Sequence, residues 1–234
     1  MDLGGSPLEQ TYRYETHLHT SEASACATAS GAEMVHLYMD AGYAGIIITD
    51  HFFNGNTCID RSLPWEEKIN LFSLGYENAF KEAEGTDFKV FFGWEYSYHG
   101  TEFLTYGLDK QFLLSHPELL DIGVLEYLDL VHENGGFISH AHPYREAPYI
   151  AEIRLYPHKV DAVEVINASH QEPSYNEKAL AYAEQHSLLK TSGSDTHHTH
   201  WLCGGGMVFP FPLFTIEDFI RAVKENKTIA LLGS

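Results

Sequence analysis

Cysteine and positive charge are scarce in this 234-residue sequence. The three cysteines, Cys26, Cys58 and Cys203, form no paired framework and none stands in a CxxC, which excludes a disulfide scaffold and a zinc ribbon. An odd, sparse set fits a reducing compartment. Lysine and arginine number 14 against 33 aspartates and glutamates, for a formal net charge of -19. Such a surface repels a phosphate backbone, so nucleic acid is disfavoured as a partner. No apolar run approaches the ~20 residues of a membrane helix. The N-terminus, MDLGGSPLEQTYRYE, lacks a basic start followed by an apolar stretch, so the expectation is a cytoplasmic protein with no signal peptide and no membrane association. Repeats, low-complexity tracts and linkers are missing as well. Gly204-Gly205-Gly206 reads as a loop, and one domain over residues 1–234 is expected.

Apolar material is plentiful: hydrophobic residues make up 44% of the chain, enough for a sizeable core. Buried strands are predicted at Gly45-Ile46-Ile47-Ile48, Lys89-Val90-Phe91-Phe92, Gly136-Phe137-Ile138, Ala162 to Ile166 and Leu188 to Thr191. Phe103 to Tyr106 and Gly206 to Phe209 are weaker strand signals. Helices fall between them. Ser30-Gly31-Ala32-Glu33 has the form of a capping box before a helix to about Ala41, with Gly42 as its stop. Pro64 precedes a helix containing Trp65, Leu71 and Phe80. Val124 to Asn134, Asn176 to His186 and Thr215 to Asn226 complete the set. This alternation predicts an α/β fold with a mostly parallel sheet or a barrel.

Histidine is abundant, at 15 residues, and its placement carries the functional reading. His17-Leu18-His19 lies near the first strand, where alternate side chains share a face and both rings can meet one ion. Thr49-Asp50-His51 follows the second strand and Gly93-Trp94-Glu95 the third. Ser139-His140-Ala141-His142-Pro143 and Ser192-Gly193-Ser194-Asp195-Thr196-His197 follow two later ones. Parallel barrels and open α/β sheets build their sites beyond the carboxyl ends of strands, so five such groups converge on one pocket. Imidazole and carboxylate together suit zinc, iron and manganese. A bridging carboxylate holds two ions roughly 3.5–4 Å apart, a spacing that suits in-line phosphoryl displacement.

Taken in order, His17-Leu18-His19-Thr20, Thr49-Asp50-His51, Gly93-Trp94-Glu95, His142-Pro143 and Gly193-Ser194-Asp195-Thr196-His197 resemble the motifs of the polymerase and histidinol phosphatase (PHP) family, from about residue 15 to about residue 200. The resemblance implies a distorted (β/α)7 barrel with two or three divalent ions: zinc, manganese or iron. It implies that His17, His19, Glu95 and Asp195 surround the first ion. Glu95 then bridges to a second ion also held by His142, and His51 and His197 hold a third. Two departures stand out. Where many members carry an acidic residue or histidine after the first motif, this chain has Ser24 and Ala25, and Glu22 is either the substitute ligand or an ordinary exposed glutamate. A usual histidine slot is filled by Leu104, leaving His99 or His140 as replacements.

The remaining candidates carry two readings each. Arg145 either grips a substrate phosphate or pairs with one of the acidic residues. Glu164, inside a strand pattern, either orients a metal-binding histidine or faces solvent at a strand end. His140 is the candidate proton donor to a leaving group, alongside metal-bound water. Cys26 reads as a small buried residue. His132, late in its helix, suits the negative end of the helix dipole. The expected function is hydrolysis of a small phosphorylated metabolite by a metal-bound hydroxide. The alternatives are a nuclease of 3'-5' exonuclease type or a non-catalytic, regulatory metal-binding domain.

Overall fold

The computed structural model describes residues 10–233. Residues 1–9, most of the segment read above for a signal peptide, lie outside the described residues. The chain opens with β1 (Tyr12–Leu18), α1 (Gly31–Asp40) and β2 (Gly45–Ile48). Helix α1 starts as expected: the Glu33 amide donates to the Ser30 hydroxyl, and the Ser30 amide donates to the Glu33 carboxylate. All four residues of β2 are buried, and each buried isoleucine contributes roughly 1.5–3 kcal/mol.

The single helix predicted from Pro64 to Phe80 is two, α2 (Trp65–Phe72) and α3 (Leu74–Glu82). They part at Ser73, whose hydroxyl donates back to the Ile69 carbonyl at 2.9 Å, a bond that competes with the helix ladder. Gly75 then allows close approach. A β-carbon there would stand 2.1 Å from Thr20 Oγ1, in the loop that follows β1.

The rest of the chain runs β3 (Lys89–Tyr98), β4 (Thr101–Tyr106), α4 (Lys110–Ser115), a 3-10 turn, α5 (Val124–Glu133), β5 (Phe137–Ala141), β6 (Ala162–Asn167), α6 (Pro173–His186), β7 (Leu189–Gly193), β8 (Gly206–Phe209), α7 (Ile216–Lys224) and β9 (Ala230–Leu232). The described strands form one sheet in the order β7-β6-β5-β4-β3-β2-β1-β8-β9. Strands β1, β2 and β3 are parallel, as are β5, β6 and β7. Between them β4 runs antiparallel to both neighbours. The cause is local. His99 (φ 50°) and Gly100 (φ 82°) make a two-residue turn with both residues left-handed, the hairpin geometry whose twist matches its strands. Two residues leave no room for a crossover helix, so β4 must return beside β3.

The sheet curls until β1 meets β7. Asp195 N donates to His17 O at 2.8 Å, His19 N to Thr196 O at 2.9 Å, and Thr16 Oγ1 to Ser192 O at 2.7 Å. The result is a nearly closed, distorted barrel of seven strands, as the family resemblance implied. Strands β8 and β9 extend the sheet past β1, antiparallel. Tyr14, Ile47, Phe91, Leu104, Tyr106 and Phe137 pack into one apolar cluster. Side chains from five neighbouring strands meet this way only inside a curled sheet, so this cluster plugs the barrel. Toward the carboxyl ends of the parallel strands the lining turns polar, and there the candidate site begins. No helix among the described residues is long and apolar enough to cross a membrane.

Candidate metal centre

The first two histidines stand at the end of β1, with their Nε2 atoms 3.2 Å apart. Leu18 between them turns the other way, into the apolar layer with Val35 and Ile48. The β1 end is anchored by Glu15, whose Oε1 accepts from the amides of Thr16, His17 and Ser194, each at 2.9 Å, while its Oε2 accepts from the Tyr38 hydroxyl. Gly193 permits the seam to close here. A β-carbon at that position would stand 2.4 Å from His17 Cβ and 2.9 Å from Glu164 Oε1.

Glu95 on β3 lies at the centre. Its Oε1 is 3.3 Å from His17 Nε2 and 3.2 Å from His142 Nε2, and its Oε2 is 2.6 Å from His51 Nδ1. Asp195 Oδ1 lies 3.1 Å from His19 Nε2 and 3.6 Å from His17 Nε2. His197 completes the far side, its ring stacked on that of His19 with centroids 4.3 Å apart. His142 (φ 27°) and Asp195 (φ 56°) both hold left-handed backbone conformations, a cost of order 1–3 kcal/mol that surrounding structure must offset.

The electrostatics suit a cation. Burial disfavours charge on His17, but Glu164, Asp195 and Glu95 outweigh it and raise the ring's pKa well above the usual value. Burial, together with the rings of His51 and His197, pushes His19 well below, so it stays neutral with a lone pair available. Burial also opposes ionisation of Glu95, yet His51 and His17 hold its carboxyl well below the carboxylate range. Asp195 behaves likewise: burial opposes ionisation, and His17, His19 and His197 prevail.

The donors form four overlapping groups: His17, Glu95 and His142; His17, His19 and Asp195; His19, His51 and His197; His51, Glu95 and Glu102. Within each, the ligand atoms lie within 4.8 Å of one another. His51 Nδ1 and Glu95 Oε2 approach to 2.6 Å, yet both are buried without hydrogen-bond geometry to any partner. Two orphaned donor atoms inside a ring of imidazoles and carboxylates are what a metal centre needs, and this mixed nitrogen and oxygen set suits divalent metal ions. Divalent ions therefore fit the residues present.

Comparison with known proteins bears on the fold. Residues 173–228, from α6 through α7, match the PHP-associated family model. A two-domain protein from Bacteroides vulgatus ATCC 8482, containing a predicted PHP-like metal-dependent phosphoesterase, superposes with a TM-score of 0.64 at 12% identity. The chain has a PHP-like fold. The match covers 94% of this chain and spans 64% of the Bacteroides protein. PsfC from Pseudomonas syringae PB-5123 is similar at a TM-score of 0.60 and 18% identity, over 90% of this chain and 88% of its own. A proposed metal-dependent phosphoesterase from Bifidobacterium adolescentis ATCC 15703 gives 0.55 and 16%, over 90% and 94%. At these identities the likeness is one of fold. No functionally curated protein matches in sequence.

Within this PHP-like barrel, seven of the residues expected as ligands come together: His17, His19, His51, Glu95, His142, Asp195 and His197. Two expected residues stand apart. Glu22 turns to the amino end of α1, where it accepts from the Gly31 amide at 3.1 Å and from Asn78 Nδ2 at 3.0 Å. His140 lies on the opposite face of β5 from the plug, stacked on Phe103 and flanked by Tyr156 and Tyr182. Neither of its ring nitrogens has a hydrogen-bond partner, and burial pushes its pKa down to about 3. It does not reach the cluster. His99 forms the β3–β4 turn and lines the cleft wall instead.

Glu102 was not anticipated. Its Oε2 is 3.5 Å from His142 Nε2 and its Oε1 is 3.9 Å from His51 Nδ1. Burial and the charge of Glu95 raise its pKa. Leu104, on the same face of β4, sits opposite Glu95 in register and belongs to the apolar plug. Glu164 takes the inward of its two readings, donating no proton but accepting from His17 Nδ1 at 2.8 Å. Asp50 holds the loop after β1, accepting from Thr20 N and Thr20 Oγ1 at 2.6 Å and from Ser24 Oγ at 2.7 Å. Cys26 is not in the core. It is half-buried at the mouth of the cleft, against the rings of His197 and His51; burial pushes its thiol up, but those contacts win and bring it down to about 6.

The cleft above the cluster has a volume of about 750 Å³. His51, Glu102, Asp195 and His197 form its floor; Asn54, His99, Arg145 and Tyr149 contribute walls. Arg145 Nη1 lies 3.2 Å from Asp195 Oδ2. Burial opposes its charge, but Asp195 and other acidic neighbours raise its pKa further, so it is a fixed cation. A second cleft of about 680 Å³ lies at the other end of β3, between Phe80, Phe88 and Phe214, and holds none of the ligand groups.

Proposed function

We propose that this protein is a metal-dependent phosphoesterase acting on a small phosphorylated metabolite, with two or three zinc, manganese or iron ions. The observation that carries this reading is the set of four overlapping donor groups beneath a cleft whose wall carries the fixed cation Arg145. Divalent ions bound here supply activated water for in-line attack on phosphorus and neutralise developing charge. The protein's own residues do the rest. Arg145 offers a planar pair of N–H donors to the non-bridging oxygens of a phosphate and is oriented by Asp195. Glu164 keeps a proton on His17 Nδ1, so Nε2 faces the centre. His99 and His198 are the cleft imidazoles outside the ligand cluster, and proton delivery to the leaving oxygen falls to one of them or to water.

The cleft's volume of about 750 Å³ fits a metabolite, and the net charge of -19 argues against a polynucleotide. Three free cysteines fit a cytoplasmic location. The test is an assay of purified protein, supplied with manganese, zinc or iron, on a panel of phosphate esters and labelled DNA and RNA. Turnover of small monoesters is expected. Inactivity on every ester while metal analysis shows bound ions would favour a non-catalytic site, and trimming of the oligonucleotides alone would favour a nuclease.

A further inference from the structure

Two carboxylates in the centre face the same pair of imidazoles. Glu95, on β3, spans them with one oxygen each: Oε1 lies 3.2 Å from His142 Nε2 and Oε2 lies 2.6 Å from His51 Nδ1. Glu102, on β4, spans them from the neighbouring strand, with Oε2 3.5 Å from His142 Nε2 and Oε1 3.9 Å from His51 Nδ1. The hairpin sets this up. Leu104 stands opposite Glu95 and fills the apolar plug, whereas Glu102, two residues nearer the turn, stands opposite Ser97. Ser97 Oγ donates to Glu102 Oε1 at 2.8 Å and holds the carboxylate in place. Glu102 is 9% exposed, and no lysine or arginine among the described residues pairs with it. Oxygens of Glu95 and Glu102 lie within 4.8 Å of each other and of His51. Two buried carboxylates at that separation repel, and a cation between them is what lets both stay ionised.

We infer that Glu102 is a metal-bridging carboxylate, joining the ion held by His51 to the ion held by His142 alongside Glu95. This rests on the metal-centre reading above and extends it to a residue outside the ligand set that resemblance to the PHP family implies. A carboxylate offers one oxygen to each of two ions about 3.5–4 Å apart, so two struts rather than one fix their separation. Its charge also offsets that of the ions, which a neutral imidazole at position 104 would not do. The bridge arises from one local change: the donor sits two residues along the same face of β4, on a side chain long enough to reach back.

Metal release reports the bridge directly. The full chain is stripped with chelator and reloaded with zinc(II) or, separately, manganese(II). Bound ions are counted by elemental analysis, and each ion's release is followed by chelator competition. Wild type is expected to hold at least two ions. Glu102→Gln keeps the shape and the acceptor for Ser97 but loses the charge, and two ions are expected to weaken together, each by at least about 10-fold, the lower bound for losing even an outer partner of a ligand. Glu102→Asp, which keeps the charge, is expected to hold the full count with intermediate release and guards against a variant that fails through misfolding. A wild-type count of one ion, release from Glu102→Gln equal to wild type, or weakening of a single ion overturns the bridge and leaves the metal centre standing. No ion retained by wild type in either series overturns both.

Discussion

His17 donates its Nδ1 proton to Glu164 at 2.8 Å, across the barrel from β1 to β6. The carboxylate is fully engaged: its other oxygen accepts from the His142 amide and from Asn167 Nδ2, both at 3.1 Å. Burial opposes its ionisation, but His17 outweighs that and lowers its pKa. Glu164 thus fixes the tautomer of one ring of the donor cluster and the backbone of another.

Glu164→Gln removes the charge and permits the amide to present its NH₂ to His17, favouring the wrong tautomer. The expected result is a loss of about 10–100-fold in metal affinity with the fold retained. Chelator competition on the folded variant measures it. Affinity equal to wild type would show that Glu164 is only a packing residue.

Much of this centre was legible because the relevant residues obey short-range rules. His17 and His19 share a strand face by pleat alone, and His51 follows an unbroken apolar strand. Glu102 was hidden by the same pleat. It lies two residues from Leu104 on one face of β4, and only the hairpin register, Ser97 opposite Glu102, sets which of the two reaches the centre. That register follows from left-handed His99, which sequence pattern does not mark. His140 and His142 show the converse. His140 lies within β5 and turns outward, whereas His142 follows the strand and its positive φ carries its ring to Glu95. Helices α1 and α7 began where their caps indicated. The α2–α3 break depended on one serine hydroxyl.

Asp195 makes the sharpest test of catalysis because of its backbone. At φ 56° it occupies a region that asparagine tolerates and alanine does not, at a cost of roughly 1–2 kcal/mol. Asp195→Asn therefore isolates the lost charge from the lost conformation. Turnover of the best ester is expected to fall by at least about 100-fold, an order taken from removal of single charge-stabilising groups. The melting temperature should change less than in Asp195→Ala. Full activity in Asp195→Asn would remove Asp195 from the ligand set.

His140→Phe tests the alternative proton donor. The ring is buried beside Phe103 with both nitrogens unpartnered, and an unsatisfied buried polar group costs about 1–3 kcal/mol. Phenylalanine has similar shape and no such cost. The variant is expected to be as stable as wild type or more so by about 1 kcal/mol, with kcat and metal content unchanged. Loss of kcat in a folded, metal-loaded variant would return His140 to the mechanism.

At the opposite end of the barrel, Asp161 offers a pH signature separate from the metal centre. Its Oδ2 accepts from the Ile138 amide and from His132 Nε2, each at 2.9 Å, so His132 serves this carboxylate rather than only its helix terminus. Burial opposes ionisation of Asp161, but the hydrogen bonds from His132 and Ile138 outweigh it and lower its pKa. A carboxyl whose folded pKa is depressed stabilises the fold fully above its ordinary value of about 3.9, and loses that contribution as pH falls through the folded value. Asp161→Asn lacks this dependence. Near pH 6 the variant should be less stable by about 1 kcal/mol, or about 2–4 °C in Tm for a domain of this size. The gap should close below about pH 4 as the wild-type carboxyl protonates. Paired melting curves across that range give the answer: a gap that stays constant or widens on acidification would mean the Asp161 charge contributes nothing. Turnover near neutral pH should be unchanged, because Asp161 immediately precedes β6 and the metal donors stand beyond the strands' other ends.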